Sequence, residues 1–131
     1  MSNELTRAMA SAASGMGAQS LRLRLIGENV ANADTPGYHR KTVAFSDRFD
    51  AELGAMRVEP GRVRLSRAEM KQDYDPGHPL ADADGLVTYS NVNTLIEIAD
   101  AREAQRSYEA NLSVFDQARR MYAGMLDLLR R

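Results

Sequence analysis

The sequence predicts a mainly α fold, in which two long terminal heptad helices form an antiparallel coiled-coil-like pair with a small irregular β insertion between them. Apolar and small residues recur every seven positions near both ends of the 131-residue chain. Alternating steps of three and four residues place such positions on one face of a helix. The middle of the chain lacks this repeat and contains all four prolines. These patterns divide the chain into predicted segments 1–35, 36–90 and 91–131.

The composition excludes several classes of protein. With 17 Lys and Arg against 18 Asp and Glu, the chain lacks the basic excess that is usual in nucleic-acid-binding proteins. It contains no cysteine, so disulfides and thiolate metal sites are excluded. No run of apolar residues is long enough to span a membrane. The first residues lack a basic region followed by an apolar core, so we do not expect a cleaved secretory signal.

Segment 1–35 is predicted to be a helix. One heptad row consists of Leu5, Ala12, Gln19, Ile26 and Ala33, and the other of Met9, Met16, Leu23 and Val30. The alternation in residues 21–25 resembles a strand, but more positions obey the heptad repeat. Pro36 and Gly37 predict the end of the helix, because proline disfavours the helical region for the residue before it and glycine permits positive φ.

Segment 36–90 is predicted to contain short strands. Residues 42–45 and 86–89 have strand-like composition, and residues 56–66 predict a hairpin whose turn is Glu59-Pro60-Gly61. Pro76, Gly77 and Pro79 exclude regular structure between the later strands. The four aspartates at 73, 75, 82 and 84 fail the spacing of a calcium-binding EF-hand loop. We interpret this stretch as a surface loop whose side chains bond to their own backbone.

Segment 91–131 is predicted to be the second long helix. Its heptad rows are Ala101, Tyr108, Phe115, Tyr122 and Leu129, and Ala104, Asn111, Ala118 and Met125. The helix is expected to begin near Asn91 to Thr94, and two caps fit. Asn93 can act as the N-cap, and Thr94 with Glu97 fits a capping box. Ion pairs on the outer face are expected between Glu103 and Arg106, Asp116 and Arg119 or Arg120, and Asp127 and Arg130.

No arrangement of side chains predicts catalysis. His39 and His78 lie in predicted loops about forty residues apart, without the spacing of a metal-ligand pair. The pair Gly15 and Gly17 lies within a predicted helix and is not a phosphate-binding loop. We therefore expect no enzyme activity, no cofactor, no metal and no small-molecule substrate.

Three sequence blocks resemble a known family. The first contains Ala31, Asn32, Asp34, Thr35, Pro36, Gly37 and Tyr38, followed by basic residues. It is similar to the N-terminal signature of bacterial flagellar rod and hook proteins. The second contains Tyr74, Pro76 and Pro79, and the third contains Asn91, Asn93, Arg106, Ser107, Tyr108 and Asn111. These two blocks narrow the resemblance to proximal-rod members of the flagellar basal-body rod family.

The resemblance implies a structural subunit of the proximal rod, the drive shaft that transmits torque. Segments 1–35 and 91–131 would be the helices of the rod core domain. The implied partners are other copies, other flagellar rod proteins and the flagellar type III export apparatus. The implied location is the basal body, in a rod that spans the periplasm, reached without a cleaved signal peptide.

The apolar stripes are the predicted packing and assembly residues. They are Leu5, Met9, Met16, Leu23, Ile26, Val30, Phe115, Tyr122, Met125 and Leu129. Further apolar residues widen the face of the second helix beyond one seam, which favours polymerisation. Gln19 and Asn111 are polar members of these stripes, and we weigh an antiparallel pair between them against exposure of each. The alternative functions are a soluble helical-hairpin adaptor or chaperone module and a helix lying on a membrane surface.

Overall fold

The chain begins and ends with a long helix, and six short strands lie between the two helices in sequence. The computed structural model describes residues 2–131, with the side chains of 3–131. Met1, which the predicted segment 1–35 includes, lies outside the described residues. The helices are α1 (Ser2–Ala31) and α2 (Thr94–Leu129). The strands are β1 (Lys41–Thr42), β2 (Phe45–Asp50), β3 (Ala55–Pro60), β4 (Arg64–Leu65), β5 (Gln72–Tyr74) and β6 (Leu86–Thr88).

The six strands form three two-stranded antiparallel sheets, which pair β1 with β4, β2 with β3, and β5 with β6. About 17% of the chain is in strands and about 50% is in helices. The predicted fold class, mainly α with a small irregular β insertion, was therefore wrong. These strands are difficult to predict from the sequence because they are short. In addition, β2 has consecutive polar residues where a half-buried strand would alternate polar and apolar residues.

The predicted hairpin at 56–66 was also wrong. β2 and β3 form the hairpin, in which Phe45 is paired with Pro60 at the open end and Asp50 with Ala55 beside the turn. The Asp50 Oδ1 atom accepts hydrogen bonds from the backbone N–H groups of Glu52 and Leu53, as in turns that use an Asp side chain. Gly54 has a φ of +64° and completes that turn. Pro60 therefore ends a strand instead of opening a turn.

The two helices pack side by side in opposite directions. Asn29 near the end of α1 contacts Glu97 near the start of α2. Arg22 lies opposite Asp100, and Gly15 lies against Asn111. The coiled-coil character of the pair is not confirmed, and one of the predicted rows of α1 departs from it. The second predicted row of α1 ends in Val30, which is 43% exposed.

The buried positions of α1 include small residues as well as large apolar ones. Ala12, Gly15 and Ala18 are buried, as are Leu25 and Ile26. At Gly15 the backbone of α1 lies against the Asn111 side chain of α2. The pair of Gln19 and Asn111, which the sequence left as an alternative to exposure of each, is not formed: the Asn111 Nδ2 atom donates to the Ser107 carbonyl in its own helix. The Gln19 Oε1 atom is buried without a hydrogen-bond partner in the described structure.

The largest fully buried side chains lie where the end of α1 meets β6 and the start of α2. Val87 and Val92 are fully buried there, together with Ser90, Asn29 and Glu97. Three of these five side chains are polar, and buried polar groups are costly unless they are hydrogen-bonded. This region is therefore the place where specific pairing, in addition to apolar packing, holds the fold together.

We predict that α1 tolerates a larger side chain at Gly17 but not at Gly15. A Cβ atom at Gly15 would lie 2.7 Å from Asn111 Nδ2, whereas at Gly17 it would meet nothing within 4 Å. Gly15→Leu should lower the free energy of unfolding by about 1–3 kcal/mol through overpacking. Gly17→Leu should raise it by about 0.5–1 kcal/mol through helix propensity. Urea unfolding of both variants, followed by circular dichroism, tests this; equal effects at the two sites would contradict it.

Candidate functional site: a polar junction and an uncovered helix face

A buried carboxylate lies at the centre of the junction between the two helices. Glu97 in α2 has 0% exposure, and its Oε1 atom accepts a hydrogen bond from Arg40 Nε. Asn29 Nδ2 lies 3.3 Å from the other carboxylate oxygen. Arg40 Nη2 reaches Asp100 Oδ2 at 2.9 Å. A buried charge needs this degree of pairing, because its desolvation is otherwise unfavourable by several kcal/mol.

The N-terminus of α2 shows why Glu97 is free for this role. Asn93 is the N-cap, and its Oδ1 atom accepts a hydrogen bond from the backbone N–H of Leu95 at 3.1 Å. Of the two predicted caps, the structure therefore has Asn93. Glu97 does not reach back as in a capping box, because its side chain is turned inward onto Arg40 and Asn29.

Asn29 joins α1 to the strand segment. Its Nδ2 atom donates to the Lys41 carbonyl at 2.9 Å, in addition to Glu97. Its Oδ1 atom accepts from the Lys41 backbone N–H at 2.8 Å and from the Tyr38 hydroxyl at 2.9 Å. Both donors and both acceptor positions of the amide are thus used. One side chain therefore fixes the backbone at the start of β1 against the last turns of α1.

Arg22 extends the network along the seam. Its Nη2 atom lies 3.6 Å from Asp100 Oδ1 and 3.6 Å from Glu103 Oε2. Glu103 was predicted to pair with Arg106 in its own helix, and it lies instead beside the other helix. Of the predicted pairs within α2, that between Asp116 and Arg119 is present at 3.4 Å.

The first family block forms the exit from α1. Asn32 Nδ2 donates to the Glu28 carbonyl at 2.8 Å, and Thr35 Oγ1 donates to Asn32 Oδ1 at 3.1 Å. The backbone N–H of Thr35 also donates to the Asn32 carbonyl at 3.0 Å, which satisfies an acceptor that the helix end leaves without a partner. Gly37 has a φ of +77°, and its N–H donates to the Thr88 carbonyl in β6 at 3.1 Å. The block therefore turns the chain and attaches it to β6; its other members are Ala31, Asp34 and Pro36.

The start of the third block ties together the segments that precede α2. Asn91 Oδ1 accepts from the Arg40 backbone N–H at 2.6 Å. Asn91 Nδ2 donates to the carbonyls of Ser66 and Ala68, each at 3.1 Å. Ser90, which directly precedes the block, donates its hydroxyl to the Ala33 carbonyl. The first and third blocks, far apart in sequence, therefore meet in one junction.

The remaining motif residues lie away from the junction. Tyr74 is exposed, and its ring lies so close to Gly85 that a Cβ atom there would be 2.8 Å from Tyr74 Cε2. Pro76 and Pro79 belong to the exposed loop between β5 and β6. Arg106 is exposed, while Ser107, Tyr108 and Asn111 are half-buried along α2.

The predicted packing residues divide into covered and uncovered ones. Ile26 is buried, and Val30 and Leu129 are exposed. The half-buried members are Leu5, Met9, Met16, Leu23, Phe115, Tyr122 and Met125. Outside these rows, Leu112, Met121, Leu126 and Leu128 are all exposed. The structure therefore leaves apolar side chains of α2 beyond the cover that α1 provides.

The residues at the centre of the junction were not predicted from the sequence. Asn29, Arg40 and Glu97 were not singled out as a group. One signal was present: Glu97 lies seven residues before Ala104 and so falls on an apolar heptad row. A charged residue on such a row is a sign of a buried pair, but the identity of its partner depends on tertiary structure.

An ion pair at the rim of the junction perturbs two titrating groups. Lys41 Nζ lies 3.0 Å from Glu28 Oε2. The hydrogen bond between them lowers the pKa of Glu28 and raises the pKa of Lys41. Burial raises the pKa of the Tyr38 hydroxyl, so this group stays protonated and donates to Asn29.

The described residues contain no grouping of three or more His, Cys, Asp or Glu side chains that could hold a metal ion. In the acidic loop, Asp82 Oδ1 accepts from the N–H groups of Asp84 and Leu86, both at 2.9 Å. Neither helix in the described part of the chain has the length and apolarity needed to cross a membrane.

Comparisons with known proteins agree on one family. The model described as "Flagella basal body rod protein" matches residues 9–39. The model described as "Flagellar basal body rod FlgEFG protein C-terminal" matches residues 83–128. The chain is 47% identical to the flagellar basal-body rod protein FlgC of Agrobacterium fabrum, over 96% of each chain. It is 38% identical to FlgC of Salmonella typhimurium, over 89% of this chain and 92% of that one.

We predict that removing one partner of the buried ion pair destabilises the protein more than removing both. R40A leaves the Glu97 carboxylate buried without its cation, and should lower the free energy of unfolding by about 3 kcal/mol. R40M/E97M replaces both groups by apolar side chains and should cost less. Urea unfolding of the two variants makes the comparison. A double variant as unstable as R40A would contradict the role of the pair.

The pairing of Glu28 with Lys41 predicts a dependence of stability on pH. The folded-state pKa of Glu28 lies below its unfolded value of about 4.3. The Glu28 carboxylate therefore stabilises the folded protein above that pH. This stabilisation is lost as the pH falls through the folded-state pKa. The pKa of Lys41 is raised in the folded state, so its ammonium group stabilises the folded protein fully below about pH 10.4. This stabilisation is lost as the pH rises through the folded-state pKa of Lys41.

The measurement compares wild type with E28Q by urea unfolding from neutral to acidic pH. We expect wild type to be the more stable at pH 7, and the two curves to converge below about pH 4. A difference that stays constant across this range would contradict the assignment.

Proposed function

The chain belongs to the flagellar basal-body rod protein family, and from this premise we propose that its terminal helices carry the contacts through which copies and other rod proteins join. It is a structural subunit of the rod of the flagellar basal body. The relatives that establish the family are FlgC proteins that match nearly the full length of the chain. A rod subunit must bind its neighbours, so the surfaces that its own fold leaves uncovered are the ones that matter for this role.

The observation that carries the proposal is the uncovered apolar surface of α2. More than half of the large hydrophobic residues that are exposed in the described chain lie on this helix. They are Leu95, Ile96, Ile98, Leu112, Val114, Met121, Leu126, Leu128 and Leu129. They recur from the first turn of α2 to its last, so neighbouring subunits could cover them along the whole helix. Covering them with neighbouring subunits gains about 25 cal/mol for each Å² of apolar area removed from water.

The shape of the molecule suits torque transmission. α2 has 36 residues, which gives a length of about 54 Å at 1.5 Å per residue. The junction around Glu97 binds this helix to α1 and to the strand segment through charge-assisted hydrogen bonds, which are stronger than neutral ones. A twisting force on one segment is therefore passed to the others, as a shaft requires.

The proposal also covers the partners and the location. Assembly with other rod components and a place in the basal body follow from the family. We further propose passage through the flagellar type III export apparatus without cleavage of a signal peptide, and a rod that spans the periplasm. The division into 1–35, 36–90 and 91–131, with the outer segments as the rod core, belongs to the same proposal.

The alternative functions gain no support from the described residues. A soluble adaptor or chaperone would need a surface that accepts varied clients and a helix pair complete in itself. The exposed leucines and methionine of α2 instead lie along a helix of a rod-family protein. The family is a structural one, and we propose no enzymatic role, cofactor or metal for the chain.

We predict that polar substitution of exposed apolar residues of α2 blocks assembly without unfolding the chain. L112Q/M121Q/L126Q/L128Q changes only exposed side chains, so circular dichroism and export should resemble wild type. In a strain whose own copy is replaced, this variant should abolish flagella. The matched control, L112M/M121L/L126M/L128M, keeps the face apolar and should support flagella. Normal flagella in the polar variant, counted by electron microscopy, would contradict the proposal.

A further inference from the structure

A groove beside β4 collects positive charge. Its lining residues are His39, Arg62, Arg64, Leu65, Ser66 and Arg67, around an open space of about 1010 Å³. We call it the basic groove. Ser66 holds it together: its N–H donates to the Arg40 carbonyl at 2.8 Å, and its own carbonyl lies 3.0 Å from His39 Nδ1. No acidic residue occurs from Gly61 to Ala68.

The charges of the basic groove are not neutralised within the described chain. None of the ion pairs among residues 3–131 involves Arg62, Arg64 or Arg67. Between them Leu65 is 59% exposed. Protein–protein interfaces usually have an apolar centre with a polar rim, and they are enriched in arginine. An exposed leucine surrounded by arginines without acidic partners therefore has the composition of an interface.

A second surface also combines exposed apolar side chains with charged ones, but its charges are negative. Segment 73–84 comprises the end of β5 and the loop that follows it, and we call it the acidic loop. It contains Asp73, Asp75, Asp82 and Asp84 and no Lys or Arg. No ion pair involves these aspartates within the described residues. Two apolar side chains stand among them: Leu80, 64% exposed, and Tyr74, 69% exposed.

The acidic loop is held in one conformation. Besides the bonds that Asp82 accepts from Asp84 and Leu86, the Asp75 N–H donates to the Gly85 carbonyl at 2.9 Å. The Leu80 N–H donates to His78 Nδ1 at 3.0 Å. A loop that is ordered before binding loses less conformational entropy when it docks.

We propose that the basic groove of one copy binds the acidic loop of a second copy. This inference rests on the proposed function, because a rod supplies neighbouring copies. Arginine forms strong paired hydrogen bonds with carboxylates and packs on aromatic rings such as that of Tyr74, while Leu65 and Leu80 supply the apolar contact. The two surfaces differ, so the contact is head-to-tail and leaves a groove and a loop free at the ends, as an open helical assembly requires.

The test is an exchange of charges between the two surfaces. R62E/R64E/R67E makes the groove acidic, and D73R/D75R/D84R makes the loop basic; Asp82 is kept because it holds the turn. Sedimentation velocity of the full chain at about 50 mM and about 500 mM salt measures association. We expect wild type to self-associate, with its apparent affinity falling about tenfold or more at the higher salt, as three screened ion pairs imply.

Each variant alone should remain monomeric, because its groove and loop then carry the same sign. An equimolar mixture should associate again, as should one chain that carries all six changes. R62K/R64K/R67K keeps the charge and is the matched control, with association retained. A wild-type chain that stays monomeric at about 1 mM, or a mixture that associates no better than its components, overturns the inference. Flagella lost in the α2 variant would meanwhile still support the proposed function, so the two failures are distinguishable.

Discussion

The buried carboxylate of Glu97 is the constraint on which the rest of the structure depends. It is fully enclosed, so it must keep its bonds to Arg40 and Asn29 or be left as an unpaired charge in the core. Each partner brings a different segment: Asn29 brings the end of α1, and Arg40 the start of the strand segment. A single charged group therefore determines how the two helices and the first strand meet. Asn91 and Ser90 fix the remaining segment to the same place.

The function depends on the surfaces that this junction leaves uncovered. It binds the end of α1 to the beginning of α2. The N-terminal half of α1 is bound to β3 instead, because Ser11 Oγ donates to the Met56 carbonyl and the Val58 N–H donates to Ser14 Oγ. The small residues of α1, such as Gly15 and Ala18, allow close approach along one face of α2. The other faces keep exposed apolar residues such as Leu112, Met121 and Leu126. A subunit with a rigid junction and an open apolar helix is suited to a filament, in which each copy covers part of the next.

The repeating heptad pattern predicted the two helices, but the strands, the hairpin turn and the buried pairing of Glu97 were not predicted. Both long helices were predictable, because residues such as Ala104 and Ala118 recur at a fixed spacing and are buried. The strands were not, since pairing of Lys41 with Leu65 depends on residues far apart in the chain. The hairpin was misplaced because Pro60 and Gly61 resemble a turn, while the real turn depends on the Asp50 side chain and Gly54. Glu97 fitted a capping box locally, but tertiary pairing with Arg40 turned it inward.

Hydrogen exchange along the isolated full-length chain tests the central claim most directly. If the junction stabilises the fold and the far end of α2 awaits neighbouring subunits, backbone amides in 26–33 and 92–104 should exchange slowest, because opening them exposes the buried ion pair. Those in 112–129 should exchange much faster. Protection of 112–129 equal to that of the junction in the isolated chain would contradict the account, because that end would then need no neighbour to be stable.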